Sequence, residues 1–205
     1  MAAPTTTGAA PVATSACVVR PEQTEGPFFV DEKLRRADVR SDPADGTARP
    51  GVPLALTFAV SKLSGSDCSP LAGATVDIWH CDAGGVYSDV GDAVGKRFLR
   101  GFLETDAAGN AAFTTIYPGW YEGRTVHIHF KIRTSGGSEF TSQLFFDDAL
   151  TDKVHATPTY SSRGQRTTRN AADAIFAAGG DQLTLTLDGD PATGLSAAFP
   201  IALAI

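Results

Sequence analysis

The tripeptide His127-Ile128-His129 is the sharpest chemical signal in this sequence. On a β-strand, residues i and i+2 point the same way and lie about 6.5–7 Å apart, so two imidazoles there can converge on one metal ion. Val126, Ile128 and Phe130 take the opposite face and would anchor the strand in a core, so the histidines would stand on a rigid element. The same spacing occurs in zinc and copper sites and, as two partly exposed histidines, in ordinary strands. Two of the four tyrosines stand close by. Tyr121 is six residues before His127, after a Pro118-Gly119 turn, and Tyr87 lies in the loop that leaves the 74–80 segment. Neither belongs to a regular apolar pattern, so each reads as a rim tyrosine with a wet hydroxyl or as a functional phenol. Arg124, three residues before His127, is by default a solvated loop residue.

The elements that must position these groups are mostly strands. Residues 21–31 hold Gly26-Pro27 followed by Phe28 and Phe29 and are extended. Residues 54–63 alternate apolar and small polar side chains as a strand does, and so do 74–80, where Asp77 and Trp79 share one face. Residues 98–105 and 111–116 flank Asp106-Ala107-Ala108-Gly109 and predict a hairpin; 126–133 and 141–146 flank a Ser-Gly-Gly turn and predict the next pair. One short C-terminal helix is expected over 171–178, capped by Asn170, with Asp173 in its first turn and Gly179-Gly180 as its stop. Residues 182–187 and 195–203 then predict a final antiparallel pair. Seven or more short strands with little helix imply an all-β fold, an antiparallel β-sandwich with long loops.

Composition sets the outer bounds. At 205 residues, 42% hydrophobic and 20% charged, the chain can bury a sizeable core, which excludes global disorder. The formal net charge of −6, with no basic run, argues against nucleic acid as a partner. No stretch reaches the roughly 18–20 apolar residues of a membrane span. Residues 1–16 read as a disordered leader with neither a charged start nor an apolar block, followed by a single domain over 17–205. Such a leader often follows a removed secretion signal, and Cys17, Cys68 and Cys81 permit one disulfide, so export to an oxidising compartment is the expectation. The alternative is three reduced thiols in a cytoplasmic protein, and all three cysteine pairings stay open. Cys81 follows a strand that ends near the candidate site.

Several motifs together resemble the intradiol ring-cleavage dioxygenases of the catechol and protocatechuate class. They are Gln23-Thr24-Glu25-Gly26-Pro27-Phe28, Asp77-Ile78-Trp79-His80 followed by Gly85-Val86-Tyr87-Ser88, Thr105-Asp106 with Gly109, and Pro118-Gly119-Trp120-Tyr121. Arg124-Thr125-Val126-His127-Ile128-His129-Phe130 and Gln143-Leu144-Phe145-Phe146 complete the set. The resemblance runs from about residue 22 to 187 and implies a prealbumin-like or immunoglobulin-like sandwich. It implies a mononuclear non-haem Fe(III) held by Tyr87 and His127 as equatorial ligands and Tyr121 and His129 as the axial pair. Two tyrosinates and one hydroxide would balance the ferric charge. A catechol binding as a chelating dianion would displace hydroxide and Tyr121, and O2 would then be inserted between the two hydroxyl-bearing carbons to give a muconate-type diacid. Arg124 matches an arginine that stabilises negative charge on substrate, Gln143 a glutamine beneath the site, and Gly26 and Pro27 one wall of the substrate pocket.

Three departures narrow the expectation. Phe28 and Phe29 carry no phenol where several relatives have a tyrosine, so the pocket should be more apolar. The Tyr121 to Arg124 connection is shorter than in relatives that recognise a ring carboxylate. Only some twenty residues precede the first motif, which resembles compact secreted members and leaves the oligomeric state open. Asp77 and Trp79 are expected to be scaffold. The rival class is a non-catalytic prealbumin-like or carbohydrate-binding sandwich, which the strand and turn motifs alone would also encode. That reading leaves Arg124, the histidine pair and Gln143 unexplained together. A zinc hydrolase would lack a third His or Cys ligand nearby and leave both tyrosines idle.

Overall fold

The structure is a computed structural model that describes residues 17–205; the leader expected over 1–16 lies outside the described residues. Among the described residues, nine strands form two facing sheets. The first is built around β1 (Pro53–Ser64), whose alternating Leu54, Leu56, Phe58 and Val60 point inward and are at most 1% exposed. Beside β1 lie β2 (Asp67–Pro70) and β5 (Asn110–Ile116), both antiparallel, and on its other edge β9 (Gly194–Ala204), which runs parallel to it and then pairs with β8 (Asp188–Asp190). The second sheet is antiparallel throughout, in the order β4 (Arg100–Glu104), β3 (Thr75–Trp79), β6 (His127–Arg133), β7 (Glu139–Phe145). Phe58 sits at the centre of the core, its ring 5.1 Å from Phe130 of the opposing sheet and 6.2 Å and 5.9 Å from Phe113 and Phe199. The expected all-β sandwich is therefore present.

Three local expectations are corrected. Strands β4 and β5 do not form a hairpin ladder, because they belong to different sheets and the 106–109 turn is the corner where the chain crosses the sandwich. Gly109, at φ 79°, accepts a hydrogen bond from the Val60 amide, and a Cβ there would stand 2.3 Å from the Val60 carbonyl oxygen, so only glycine fits. The final antiparallel pair shrinks to the short β8 and β9, because β9 spends its length pairing with β1. The helix expected over 171–178 is instead two 3-10 turns, Asn170–Ala172 and Phe176–Ala178, separated by an extended Asp173. Asn170 does not cap; its Nδ2 donates to the Phe146 carbonyl and its Oδ1 accepts from Thr125 Oγ1. The α-helices lie earlier, α1 (Asp148–His155) and α2 (Pro158–Ser161). The Asp147 side chain caps α1 by accepting from the Leu150 amide at 2.9 Å. Among the described residues no helix is long and apolar enough to cross a membrane.

A disulfide joins Cys17 to Cys68 and leaves Cys81 free and buried, which settles the pairing the sequence left open. The bond ties the start of the described chain to β2 and closes a span of 51 residues. Changing both cysteines to serine is expected to lower stability by about 2–4 kcal/mol in urea unfolding. A loss below about 1 kcal/mol would mean that the denatured chain gains little freedom when the bond is absent.

Candidate metal centre

Strand β6 aims His127 and His129 to one face while Ile128, Phe130 and Ile132, all fully buried, fill the core on the other. The neighbouring strands complete the floor, since His129 pairs in register with Trp79 of β3 and Gln143 of β7. Tyr87 arrives from the loop between β3 and β4, and Tyr121 from the connection between β5 and β6. Four donor atoms converge, three of them around His127 Nε2: Tyr87 Oη at 3.4 Å, Tyr121 Oη at 3.1 Å and His129 Nε2 at 3.0 Å. The other two tyrosines are structural. Tyr117 Oη pairs with Thr151 Oγ1 of α1, and Tyr160 Oη donates to the Tyr117 carbonyl.

The His127 tautomer follows from its second nitrogen. Nδ1 lies 2.6 Å from the Thr125 carbonyl, an acceptor, so Nδ1 carries the proton and Nε2 turns a lone pair to the centre. Burial, and Arg124 beside it, push His127 down to about 3. His129 is pushed well below the usual histidine range by burial and by His127. Both rings are therefore neutral donors at physiological pH. Burial lifts Tyr87 well above 10, with Cys81 and Tyr121 adding to the effect. Burial also raises Tyr121, which Arg124 opposes. A dry site with four convergent neutral donors is poised for a cation, the one local charge able to ionise both phenols. Buried His129 Nδ1 has no hydrogen-bond partner among the described residues, so β6 presents that ring through stacking: Trp79 lies parallel to it at 5.0 Å. Two hard phenol oxygens with two imidazoles fit a ferric ion better than a thiolate-loving metal. Cys81 does not compete, because burial and then Asp82 push its thiol up to about 12 and its Sγ is turned to the Gly119 carbonyl.

Around these donors the expected pocket residues assemble. Gln143 Nε2 donates to the Thr24 carbonyl at 2.9 Å, and the Gln23 amide donates to the Thr141 carbonyl, so β7 holds the N-terminal strap over the site. Gly26 in that strap has φ 71°, and a Cβ there would stand 3.3 Å from His129 Cε1. Gly26→Ala is therefore expected to cost about 1–2 kcal/mol of stability through backbone strain and, by pressing on the His129 ring, to loosen any metal held there. Melting and metal content identical to the parent would show that the strap yields instead. Pro27 is exposed beside it. Phe28 packs 4.7 Å from Tyr87 and 6.2 Å from Tyr121, and Phe29 packs 4.8 Å from Trp79. Asp77 accepts from Arg133 Nη2 at 2.7 Å, away from the donors, as scaffold.

Arg124 lies at the edge of the centre, donating through Nη2 to Gln143 Oε1 at 2.6 Å and through Nε to Asp173 Oδ2 at 2.8 Å. Two residues at this site escaped the sequence reading. Arg100, 2% exposed, donates to the Phe28 carbonyl at 2.7 Å and to the Ser88 carbonyl and hydroxyl, fastening the pocket wall to the residue after Tyr87. Its only signal is a charge at the end of the apolar Phe98-Leu99 pair. Asp173 is the other. Burial alone would raise its carboxyl, but the Thr125 amide and the Arg124 guanidinium outweigh it and hold the group below its ordinary value. A depressed carboxyl contributes stability above its unfolded-state pKa and loses it as pH falls through the folded value. The melting-temperature gap between the protein and Asp173→Asn should therefore be widest near neutrality and close on acidification.

Comparison with known proteins places this arrangement in context. A dioxygenase family model matches residues 24–188. Chlorocatechol 1,2-dioxygenase of a Pseudomonas species is 28% identical over 141 residues, covering 60% of this chain and 54% of that protein. The chain thus spans between about a third and about half of the length of the curated relatives it matches first. The structure of an intradiol ring-cleavage dioxygenase from Tetranychus urticae superposes with a TM-score of 0.83 at 29% identity, over 92% of this chain and 95% of that one. The dioxygenase domain of a dioxygenase carbohydrate-binding protein fusion from Streptomyces sp. SirexAA-E gives 0.68 at 30%, over 92% and 99%. With the sandwich shared nearly end to end and the family match enclosing the floor of the site and its strap from Thr24 onward, this chain belongs to the intradiol ring-cleavage dioxygenase family.

Proposed function

We propose that the protein cleaves a catechol-type ring between its two hydroxyl-bearing carbons, inserting both atoms of O2 to give a muconate-type diacid. The observation that carries this reading is the convergence of two phenols and two imidazoles beside an anchored arginine. Tyr87, Tyr121, His127 and His129 would hold Fe(III), with both phenols ionised. Bound there, the ferric ion supplies Lewis acidity and electron-accepting capacity that make a catechol dianion reactive towards O2. The chain's own residues do the rest. Tyr121, half-buried where Tyr87 is 5% exposed, is the phenolate a substrate can reach, and its Oη accepts a proton from a catechol hydroxyl. Arg124 keeps its own proton and sets a fixed cation beside the ring as negative charge grows there. Phe28 and Phe29 line the strap with hydrocarbon and exclude water, while Gly26 lets that strap lie against His129.

The strap offers the ring apolar contact, so catechols with hydrogen, alkyl or halogen substituents are preferred over ring carboxylates. Oxygen uptake with catechol, methylcatechol, chlorocatechol, hydroxyquinol and protocatechuate, alongside metal analysis, tests the proposal. One iron per chain and turnover of the uncharged catechols are expected. Stoichiometric zinc, or no uptake after ferric loading, would sink it. Export to an oxidising compartment belongs to the same reading and is supported by the Cys17–Cys68 disulfide. Thiol counting on protein from its native source should find one free cysteine; three would return it to the cytoplasm.

A further inference from the structure

We infer that Asp173 is a positioning residue for the ring-cleavage reaction, its carboxylate fixing the direction in which Arg124 presents its charge to the substrate. The inference rests on the dioxygenase reading of the site. Its basis is geometric. Asp173 is the extended residue that interrupts the 170–178 segment, and both of its oxygens are saturated. Oδ1 accepts from the Ile175 amide at 2.8 Å and the Phe176 amide at 3.1 Å, a local turn that any Asx residue could make. Oδ2 faces the other way and accepts from the Thr125 amide and Arg124 Nε, both at 2.8 Å. The Asp173 side chain is 1% exposed and that of Arg124 17%.

A guanidinium is planar, so two anchors fix both its plane and its rotation within that plane. Arg124 has two, Asp173 at Nε and Gln143 at Nη2, and Nη1 makes no hydrogen bond to the described residues. Gln143 cannot do this alone. It is a neutral amide at the tip of the fork, whereas the carboxylate grips the base of the guanidinium through a charge-assisted bond. Asp173 is itself immobilised by three backbone amides, so Arg124 leans on a support that does not move with substrate. Removing the support would let a cation worth most at one place spread over several.

Asp173→Asn separates the two halves of the carboxylate. Its oxygen can still accept from the 175 and 176 amides, but its amide nitrogen would confront the Thr125 N–H and Arg124 Nε–H, donor against donor. With catechol and O2 the variant is expected to keep its iron and its KM within about twofold while kcat falls about tenfold or more. The decisive measurement is a double-mutant cycle with Arg124→Ala, read both on kcat and on anaerobic catechol affinity. If Asp173 acts through Arg124, adding Asp173→Asn to Arg124→Ala costs less than about a further twofold. An equal fold-loss in both backgrounds, or loss of iron with activity, would show that Asp173 works by another route, such as holding Thr125 and hence His127. That overturns the inference while leaving the dioxygenase reading intact. An unmutated protein that turns over no catechol overturns both. Asp173→Ser, which keeps one acceptor for the local turn, serves the same cycle if the asparagine variant does not fold. If neither folds, Asp173 is a folding residue and the inference fails.

Discussion

Tyr87→Phe is expected to leave the folded protein colourless and nearly free of iron. Tyr87 is almost fully buried, packed between Phe28 and Tyr121, with its Oη 3.4 Å from His127 Nε2. On the proposed ligand set, deleting its oxygen would remove one of two anionic ligands from a dry site, and the remaining set would have to hold a trication with one phenolate and two neutral rings. The loss in ferric affinity should exceed the roughly 10–100-fold that removal of an outer-shell partner costs. Because the ring still fills its place, melting of the metal-free protein should be almost unchanged. Tyr121→Phe should behave differently. Its oxygen is the accessible one, so the variant should retain part of its iron and a tyrosinate absorption band from Tyr87, yet lose the proton acceptor that lets catechol bind as a dianion. Anaerobic titration with catechol should then show weaker binding and a diminished shift to the longer-wavelength catecholate band. If Tyr121→Phe binds and turns over like the parent, Tyr121 is not the displaced ligand. If Tyr87→Phe keeps full iron and colour, the four-donor assignment is wrong.

Only part of this centre could be read from the sequence by physics. The histidine pair could, because a period of two on a strand fixes which side chains share a face, and Ile128 and Phe130 had to be core. Tyr87 and Tyr121 could not be separated from Tyr117 and Tyr160 by composition; the family motifs singled them out, and the reason appears only in three dimensions, where Thr151 and the Tyr117 carbonyl occupy the other two hydroxyls. Asp173 was misread because Ala-Ala-Asp-Ala-Ile-Phe-Ala-Ala has good helix formers and an acidic first turn. Tertiary demand overrode that propensity, since the Thr125 amide and Arg124 draw the carboxylate inward and break the run. Helix α1 carried a readable signal, Asp147 as cap and Leu150 and Val154 one turn apart, in a stretch dominated by polar residues. Strand partners across the sandwich were out of reach for another reason: the parallel pairing of β9 with β1 joins segments about 140 residues apart, and nothing local encodes it.

Arg124→Ala is expected to lower kcat by about 10²–10³-fold while iron content and resting colour stay near those of the parent. The side chain donates to Gln143 and Asp173 and to none of the four donor atoms, so its removal leaves the ligand set intact. Gln143, which pairs in register with His129, holds the Arg124 cation at the edge of the donors, where charge would develop on a bound ring. An interaction that strengthens as charge develops appears in kcat, whereas one felt equally by bound substrate and transition state appears in KM. Arg124→Lys should recover little, because one ammonium cannot span Asp173 on one side and Gln143 on the other. Arg124→Ala should also lose some stability, since Asp173 would keep its three backbone amides but face no cation in a buried place. Measured together, metal content, melting temperature and oxygen uptake separate these effects. Iron and activity falling in step would reduce Arg124 to a structural prop of the histidine strand, and unchanged turnover would mean that the negative charge on the ring grows elsewhere.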